Sequence, residues 1–154
     1  MSEILSIYTA LGAKIVTTTS GVTPTVYNLA QLPKSAETAR LPARLLLPVG
    51  NNPGEGRDAA FIAIGTSMVV TWQIADLMLW EASEQGLDLP GFAQELVDYA
   101  GEYLDVMRTF KCPSTNSTLE MVTATPGVYE WPSMSGKSYS GVLCQLEILE
   151  HLHG

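Results

Sequence analysis

Histidine is almost absent from this 154-residue chain. His151 and His153 are the two histidines, and both lie close to the C-terminal end of the sequence. Ser-His-Asp and Cys-His catalytic arrangements need an imidazole held in the body of the fold. A His-x-His pair beside Glu150 has the side chains of a metal site, but chain ends are usually mobile. The sequence therefore predicts no histidine-dependent enzyme and no native metal site.

Cysteine and long apolar runs are also scarce. Cys112 and Cys144 are the only cysteines, too few for a disulfide framework in a chain of this length. The first residues lack the basic region and apolar core of a signal peptide. No run approaches the roughly 18 apolar residues that a membrane helix needs. These absences predict a cytoplasmic protein with reduced thiols and no membrane segment.

Positive charge is the third shortage. Charged residues make up 16% of the chain, and 16 acidic residues against 8 basic ones give a net charge of −8. The basic residues are scattered, whereas nucleic-acid binding needs clustered Lys and Arg. We therefore expect no sequence-specific nucleic-acid binding. The acidic surface suits either a passage whose walls repel DNA or ordinary solubility, and composition alone does not separate the two. A surface poor in charge also favours a subunit that buries part of it against neighbours.

Apolar residues make up 46% of the sequence, enough for a single domain over residues 1–154 with its own core. A first helix is predicted because apolar residues recur at helical spacing after a possible cap at Ser2. Those apolar residues are Ile4, Tyr8, Leu11 and Ile15. Short strands are predicted at 25–29 and 44–49. Pro42 and Pro48 keep the second strand short or place it at a sheet edge.

The middle of the chain predicts extended structure and then a long helix. Strands are expected at 61–64 and 68–75. Residues 77–80 suit a continuing strand or a helical turn, and strand is favoured because the apolar residues from Val69 to Ile74 recur with a period of two. Asp88 can cap the helix and Pro113 stops it. Its apolar stripe comprises Phe92, Leu96, Tyr99, Tyr103, Val106 and Phe110. Its other face carries four carboxylates, of Glu95, Asp98, Glu102 and Asp105. They suit either a hard cation or, more simply, a solvated or partner-facing surface.

The last third predicts strands again. Residues 118–123 and 128–131 flank Pro126-Gly127, a favourable turn, and residues 133–137 form a second turn. The final strand, at 139–150, alternates well, with Val142, Cys144, Leu146 and Ile148 on one face. The fold class expected is α+β, with an antiparallel or mixed β-sheet flanked by two main helices, the N-terminal helix and one at about 91–111.

Two loops are the candidate contact sites. Residues 50–58 contain three glycines and one proline, and within this loop Glu55, Arg57 and Asp58 are predicted interface residues. The turn at 131–137 adds Trp131, Met134 and Lys137. Trp131 is either a partly exposed contact, as Trp often is at interfaces, or an internal packing residue. Gly136-Lys137-Ser138 lacks the earlier glycine of a phosphate-binding loop, since Trp131 stands there.

This layout resembles the tail terminator (tail completion) proteins of siphophages. The resemblance covers nearly the whole chain and rests on the order of its segments. These are the N-terminal helix, Val26-Tyr27-Asn28-Leu29, the Pro-flanked strand at 45–48, Val70-Thr71-Trp72-Gln73-Ile74 running into Leu77-Met78-Leu79, the acidic helix at 92–110, and Tyr139-Ser140-Gly141-Val142 running into Gln145-Leu146-Glu147-Ile148.

The resemblance implies a virion structural protein of the tail or neck, assembled in the host cytoplasm. Such proteins form a homohexameric ring on the head-proximal end of the tail tube, ending tube growth and joining the tail to the head. The implied partners are other copies of the chain, the tail tube protein and the head–tail connector protein, with DNA passing through the ring. The resemblance implies neither enzymatic activity nor a cofactor. Other phage connector components or tail assembly factors, and a small-ligand binding module, stay open as alternatives.

Overall fold

A computed structural model describes residues 3–34, 39–49, 60–64, 67–82, 92–112, 115–131 and 137–153. The helices are α1 (Ile4–Ala13) and α2 (Ala93–Met107), and a single 3-10 turn spans Leu29–Gln31. The strands are β1 (Thr25–Tyr27), β2 (Ala43–Leu46), β3 (Ala60–Ile64), β4 (Ser67–Ala82), β5 (Ser117–Glu130) and β6 (Ser138–His153). The predicted α+β class, a mixed sheet with two main helices, is confirmed.

The sheet has the strand order β1-β2-β4-β6-β5, and β3 pairs separately with the first part of β4. Strands β1 and β2 are parallel, and every other described pair is antiparallel. Strands β4 and β6 form the longest ladder, from Ser67 opposite His153 to Ala82 opposite Tyr139. The described sheet is open, with β1 and β5 at the ends of its strand order.

The helices cover one face of this sheet. Alternate side chains of β4 and β6 point toward them, as a period of two requires, including Ile74, Met78, Val142 and Cys144. From α2, the side chains of Leu96, Tyr99, Tyr103 and Met107 complete this core, and Ile7, Tyr8 and Leu11 do so from α1. The predicted shared face of Val142, Cys144, Leu146 and Ile148 is confirmed, since all four belong to this core.

A second core lies on the opposite face of the sheet. It is formed by Ala43, Leu45, Leu47, Ala75, Leu77, Leu79, Trp131, Tyr139 and Leu143. Tyr27, Leu32, Ala39 and Leu41 pack against its outside. Strand β2 and the second half of β4 are therefore buried on both faces. This explains why residues 45–47 and 77–79 are continuous apolar runs, since a strand covered on both sides has no solvent-facing position.

Two strand predictions differ from the structure. Pro126-Gly127 forms no turn, because β5 runs unbroken through it from Ser117 to Glu130. An edge strand accommodates this proline, since the missing N–H can point away from the ladder. Of the two alternatives for the Pro-flanked strand, the structure shows the short one, since β2 has four residues and lies between β1 and β4. Strand β6 continues to His153, so the histidines are part of the ladder and not of a mobile tail.

Both helices are shorter than the periodicity of the sequence predicted. Ile15 lies beyond the end of α1 and is 55% exposed. Phe92 precedes α2 with a left-handed φ of 58° and is exposed, while Phe110 follows its end. The predicted caps Ser2 and Asp88 and the stop at Pro113 lie outside the described residues. No described helix is long and apolar enough to cross a membrane.

Replacing Leu96 with Ala is expected to lower the free energy of unfolding by about 2–5 kcal/mol. The Leu96 side chain is fully buried between α2 and the sheet, so its removal leaves a cavity. Val97→Ala on the exposed side of the same helix is the matched control and should change stability by less than about 0.5 kcal/mol. Urea denaturation measures both, and a small effect at Leu96 would contradict the packing described.

Candidate functional site

Of the two predicted contact sites, the loop at 50–58 lies wholly outside the described part of the chain, and so do residues 132–136 of the turn. Glu55, Arg57, Asp58 and Met134 fall on residues that the structure does not describe. Lys137 is described and exposed. The carbonyl oxygen of Lys137 accepts a hydrogen bond from the backbone N–H of Trp131 at 3.4 Å.

Trp131 packs within the chain. Its side chain is 2% exposed, and its ring meets that of Tyr139 edge-on with centroids 5.9 Å apart. The second core thus buries this indole against Tyr139 and its neighbours. Of the two interpretations that the sequence left open, the structure of the single chain shows internal packing.

The most densely bonded polar cluster centres on Arg44 and Asp76, which sequence reasoning did not single out. Their side chains are each 1% exposed and form an ion pair at 2.7 Å. The Arg44 Nε also donates to both carboxylate oxygens, at 3.1 and 2.9 Å. Tyr103 donates its hydroxyl to the same carboxylate at 2.7 Å, and the Arg44 guanidinium lies 5.6 Å from the centroid of the Tyr103 ring. The cluster joins β2, β4 and α2 inside the helix-side core.

Arg44 also caps the end of α1. Its Nη2 donates to the carbonyl of Leu11 at 3.0 Å, and its Nη1 donates to the carbonyl of Lys14. The last carbonyls of a helix lack partners within the helix and carry partial negative charge, so a buried guanidinium satisfies them well. One side chain therefore fixes the first helix to the centre of the sheet.

The ionisation of this cluster follows from its burial. Burial acts to lower the pKa of Arg44, but the charge and hydrogen bonds of Asp76 outweigh it, so the pKa lies above its usual value. Burial, and then the charge of Asp76, raise the pKa of Tyr103 and Tyr99. The same two causes raise the pKa of the Cys144 thiol. At neutral pH the Arg44 guanidinium is therefore positive, and the phenols of Tyr99 and Tyr103 are neutral. In these states the cluster stabilises the fold.

Two other carboxylates connect separate elements of the fold. Glu150 is 2% exposed and accepts hydrogen bonds from the backbone N–H of Glu3 at 2.7 Å and the Trp72 indole at 3.0 Å. Asp98 of α2 accepts two from Thr19, from its N–H and its hydroxyl, each at 2.9 Å. Among the described residues, no group of three or more His, Cys, Asp or Glu could hold a metal ion.

Half of the outer sheet face is poorly covered. We define the open sheet half as Val69, Thr71 and Gln73 of β4, Met121 and Thr123 of β5, and Gln145, Glu147, Leu149 and His151 of β6. These residues share the face opposite the helices, beyond the second core. All are partly or fully exposed, and Met121 is 54% exposed. Glu147 is the only carboxylate among them, on a chain that carries 16 acidic residues.

A shallow cavity lies within the open sheet half. Its volume is about 190 Å³, and Gln73, Met121, Thr123, Gln145 and Glu147 contribute to its lining. The hydroxyl oxygen of Thr123 is buried and has no hydrogen-bond partner within the described structure. Depletion of charge, together with exposed Met, is typical of the central part of a protein interface.

A second groove, of about 380 Å³, lies between α1 and the 3-10 turn. Leu5, Tyr8, Thr9 and residues 28–31 form its walls, and Leu5 is 69% exposed. Its lining is mainly apolar and contains no charged side chain, so it suits an apolar group better than an ion.

Comparison with known proteins identified no relative: no protein family, curated protein or solved structure matches this chain.

Proposed function

We propose that this chain is a tail terminator subunit of a long-tailed phage, which forms a ring on the head-proximal end of the tail tube and stops its growth. The observation that carries the proposal is the open sheet half, a charge-poor surface on a strongly acidic chain. Such a surface suits contact with protein, and the surrounding acidity suits a passage in which DNA moves without binding.

The order of the elements supports the same proposal. The chain runs from α1 through two short strands, a β-ladder and α2 to the two long strands β5 and β6. This is the order on which the resemblance to tail terminators rests. The helix-side core and its buried ion pair join both helices to the sheet, so the described elements form one subunit that a ring could repeat. The partners proposed are other copies of the chain, the tail tube protein and the head–tail connector protein.

Light scattering after size-exclusion chromatography tests the ring. Six copies of the 16.6 kDa chain have a mass of about 100 kDa, and a closed ring with a central hole should appear in negative-stain micrographs of that peak. If the chain is monomeric alone, purified tail tube protein provides the template, and added chain should stop tube elongation at one end. A chain that neither forms rings nor caps tubes contradicts the proposal. Binding only to unassembled tail proteins would instead indicate an assembly chaperone.

A further inference from the structure

Helix α2 presents a second distinctive surface, on the side of the molecule opposite the open sheet half. We define the α2 stripe as Val97, Gly101, Leu104 and Arg108, which follow one another at intervals of four, three and four residues. Val97 is 61% exposed and Leu104 is 40% exposed, although α2 buries its other side against the sheet. A Cβ added to Gly101 would meet nothing within 4 Å, so the helix backbone is open to close approach there.

The end of the α2 stripe carries positive charge. Arg108 is highly exposed and its only described ion pair is with Asp105 at 3.2 Å, which is exposed too. Lys111 is exposed nearby, and Lys14 reaches the same end of α2, donating to the Thr109 hydroxyl at 3.1 Å. Three of the eight basic residues of the chain thus gather at one corner of an acidic molecule. A negative group on a partner surface would complement them.

The two surfaces match in charge and in spacing. Leu104 and Arg108 are one turn apart, about 6 Å along the helix. On the open sheet half, Met121 and Glu147 are directly paired across β5 and β6, which places their Cβ atoms about 5 Å apart. The α2 stripe thus has an apolar residue beside a cation, and the open sheet half has an apolar residue beside an anion at nearly the same separation.

We propose that copies of this chain associate head to tail, the α2 stripe of one copy lying on the open sheet half of the next. Leu104 contacts Met121, Arg108 pairs with Glu147, and Gly101 lets the helix approach the sheet closely. The inference rests on the proposed ring function and adds the surfaces that build it. Because the two surfaces are different parts of one subunit, the contact is heterologous. Such a contact closes into a ring when the rotation between neighbouring copies divides a full turn evenly, as the proposed ring function requires.

Pairing through the free edge of β5 is the competing way to join two copies. Long edge strands can pair with another chain, but Pro126 removes one donor from this edge. The ladder register also shifts between Leu119 and Met121. Both features interrupt a continuous edge, so the structure favours face-to-face contact over strand addition.

Charge reversal tests the proposed contact. Arg108→Glu and Glu147→Arg should each weaken self-association about tenfold or more, and the double variant should restore it, because the pair is re-formed with opposite polarity. Lys34→Glu and Glu130→Arg change exposed charges outside both surfaces and serve as matched controls. Light scattering measures association, or tube capping does so if the wild-type chain assembles only on tubes.

Cysteine cross-linking locates the contact directly. The double variant Leu104→Cys, Met121→Cys should form intermolecular disulfides up to a closed ring on a non-reducing gel, and neither single variant should form that ladder. The native Cys112 and Cys144 are buried and give a low background. A dimer formed by Leu104→Cys alone would show a symmetric α2 contact and overturn the proposal.

The outcomes separate this inference from the proposed function. Rings or capped tubes that are indifferent to both charge reversals overturn the contact and leave the terminator function standing. Loss in each single variant without recovery in the double variant also overturns the specific pairing of Arg108 with Glu147. A wild-type chain that neither assembles nor caps tubes overturns both.

Discussion

Replacing Asp76 with Ala is expected to lower the free energy of unfolding by about 3–5 kcal/mol. The change leaves the Arg44 guanidinium buried without its counter-ion and removes the acceptor of the Tyr103 hydroxyl. A buried charge without a partner costs far more than the lost attraction alone, because water cannot reach it. Denaturation in urea, followed by circular dichroism, measures the effect.

Asp105→Ala is the control for this prediction, since Asp105 also pairs with an arginine but in solvent. Exposed ion pairs contribute little, so the change should cost less than about 0.5 kcal/mol. Arg44→Met combined with Asp76→Leu and Tyr103→Phe should recover much of the lost stability, since it removes every charge at once. Equal costs for Asp76→Ala and Asp105→Ala would show that the Arg44 cluster does not stabilise the fold.

Replacing Gly141 with Ala is expected to cost roughly 2–4 kcal/mol, from forced displacement of the backbone. A Cβ at this position of β6 would overlap the carbonyl oxygen of Met78 and press on Leu79. Both belong to the neighbouring strand, where the ladder register shifts between Leu79 and Glu81. The methyl group can be accommodated only if the two central strands move apart.

Gly101→Ala provides the same substitution without the obstruction. Nothing lies within 4 Å of the added methyl group, and Ala is favoured over Gly inside a helix by about 1 kcal/mol. We therefore expect Gly101→Ala to raise the midpoint of thermal unfolding and Gly141→Ala to lower it. Two changes in the same direction would mean that the strands tolerate a side chain at Gly141.

The periodicity of the sequence predicted the central strands correctly. The residue types at the outward positions of β4 also mark where the open sheet half ends. Outward positions of β4 pass from Thr71 and Gln73 to Ala75, Leu77 and Leu79. This change from polar to apolar coincides with the start of the second core. The alternation alone could not show it, because the covering residues come from distant parts of the chain.

The Arg44 cluster could not be predicted with the same methods. Asp76 is a lone acid within an apolar strand and Arg44 a lone base within another, which is a weak signal for each. Only the register, with Leu45 opposite Leu77 and Arg44 opposite Met78, brings the two charges together. At Pro126 the local sequence predicted a turn where the structure has a strand. Proline favours turns but is also tolerated at a sheet edge, and local sequence does not reveal which strand lies at the edge.

The hydrogen bond between Glu3 and Glu150 has a consequence for how the chain folds during synthesis. Helix α1 is held at its start by a residue 147 positions later, and β6 contributes Val142, Cys144, Leu146 and Ile148 to the core shared with α1 and α2. Contacts this distant in sequence form late, because closing a long loop costs entropy before any packing compensates. Helix α1 therefore cannot complete these contacts until β6 has been synthesised, and the domain acquires its final packing only after Glu150 has been added to the chain.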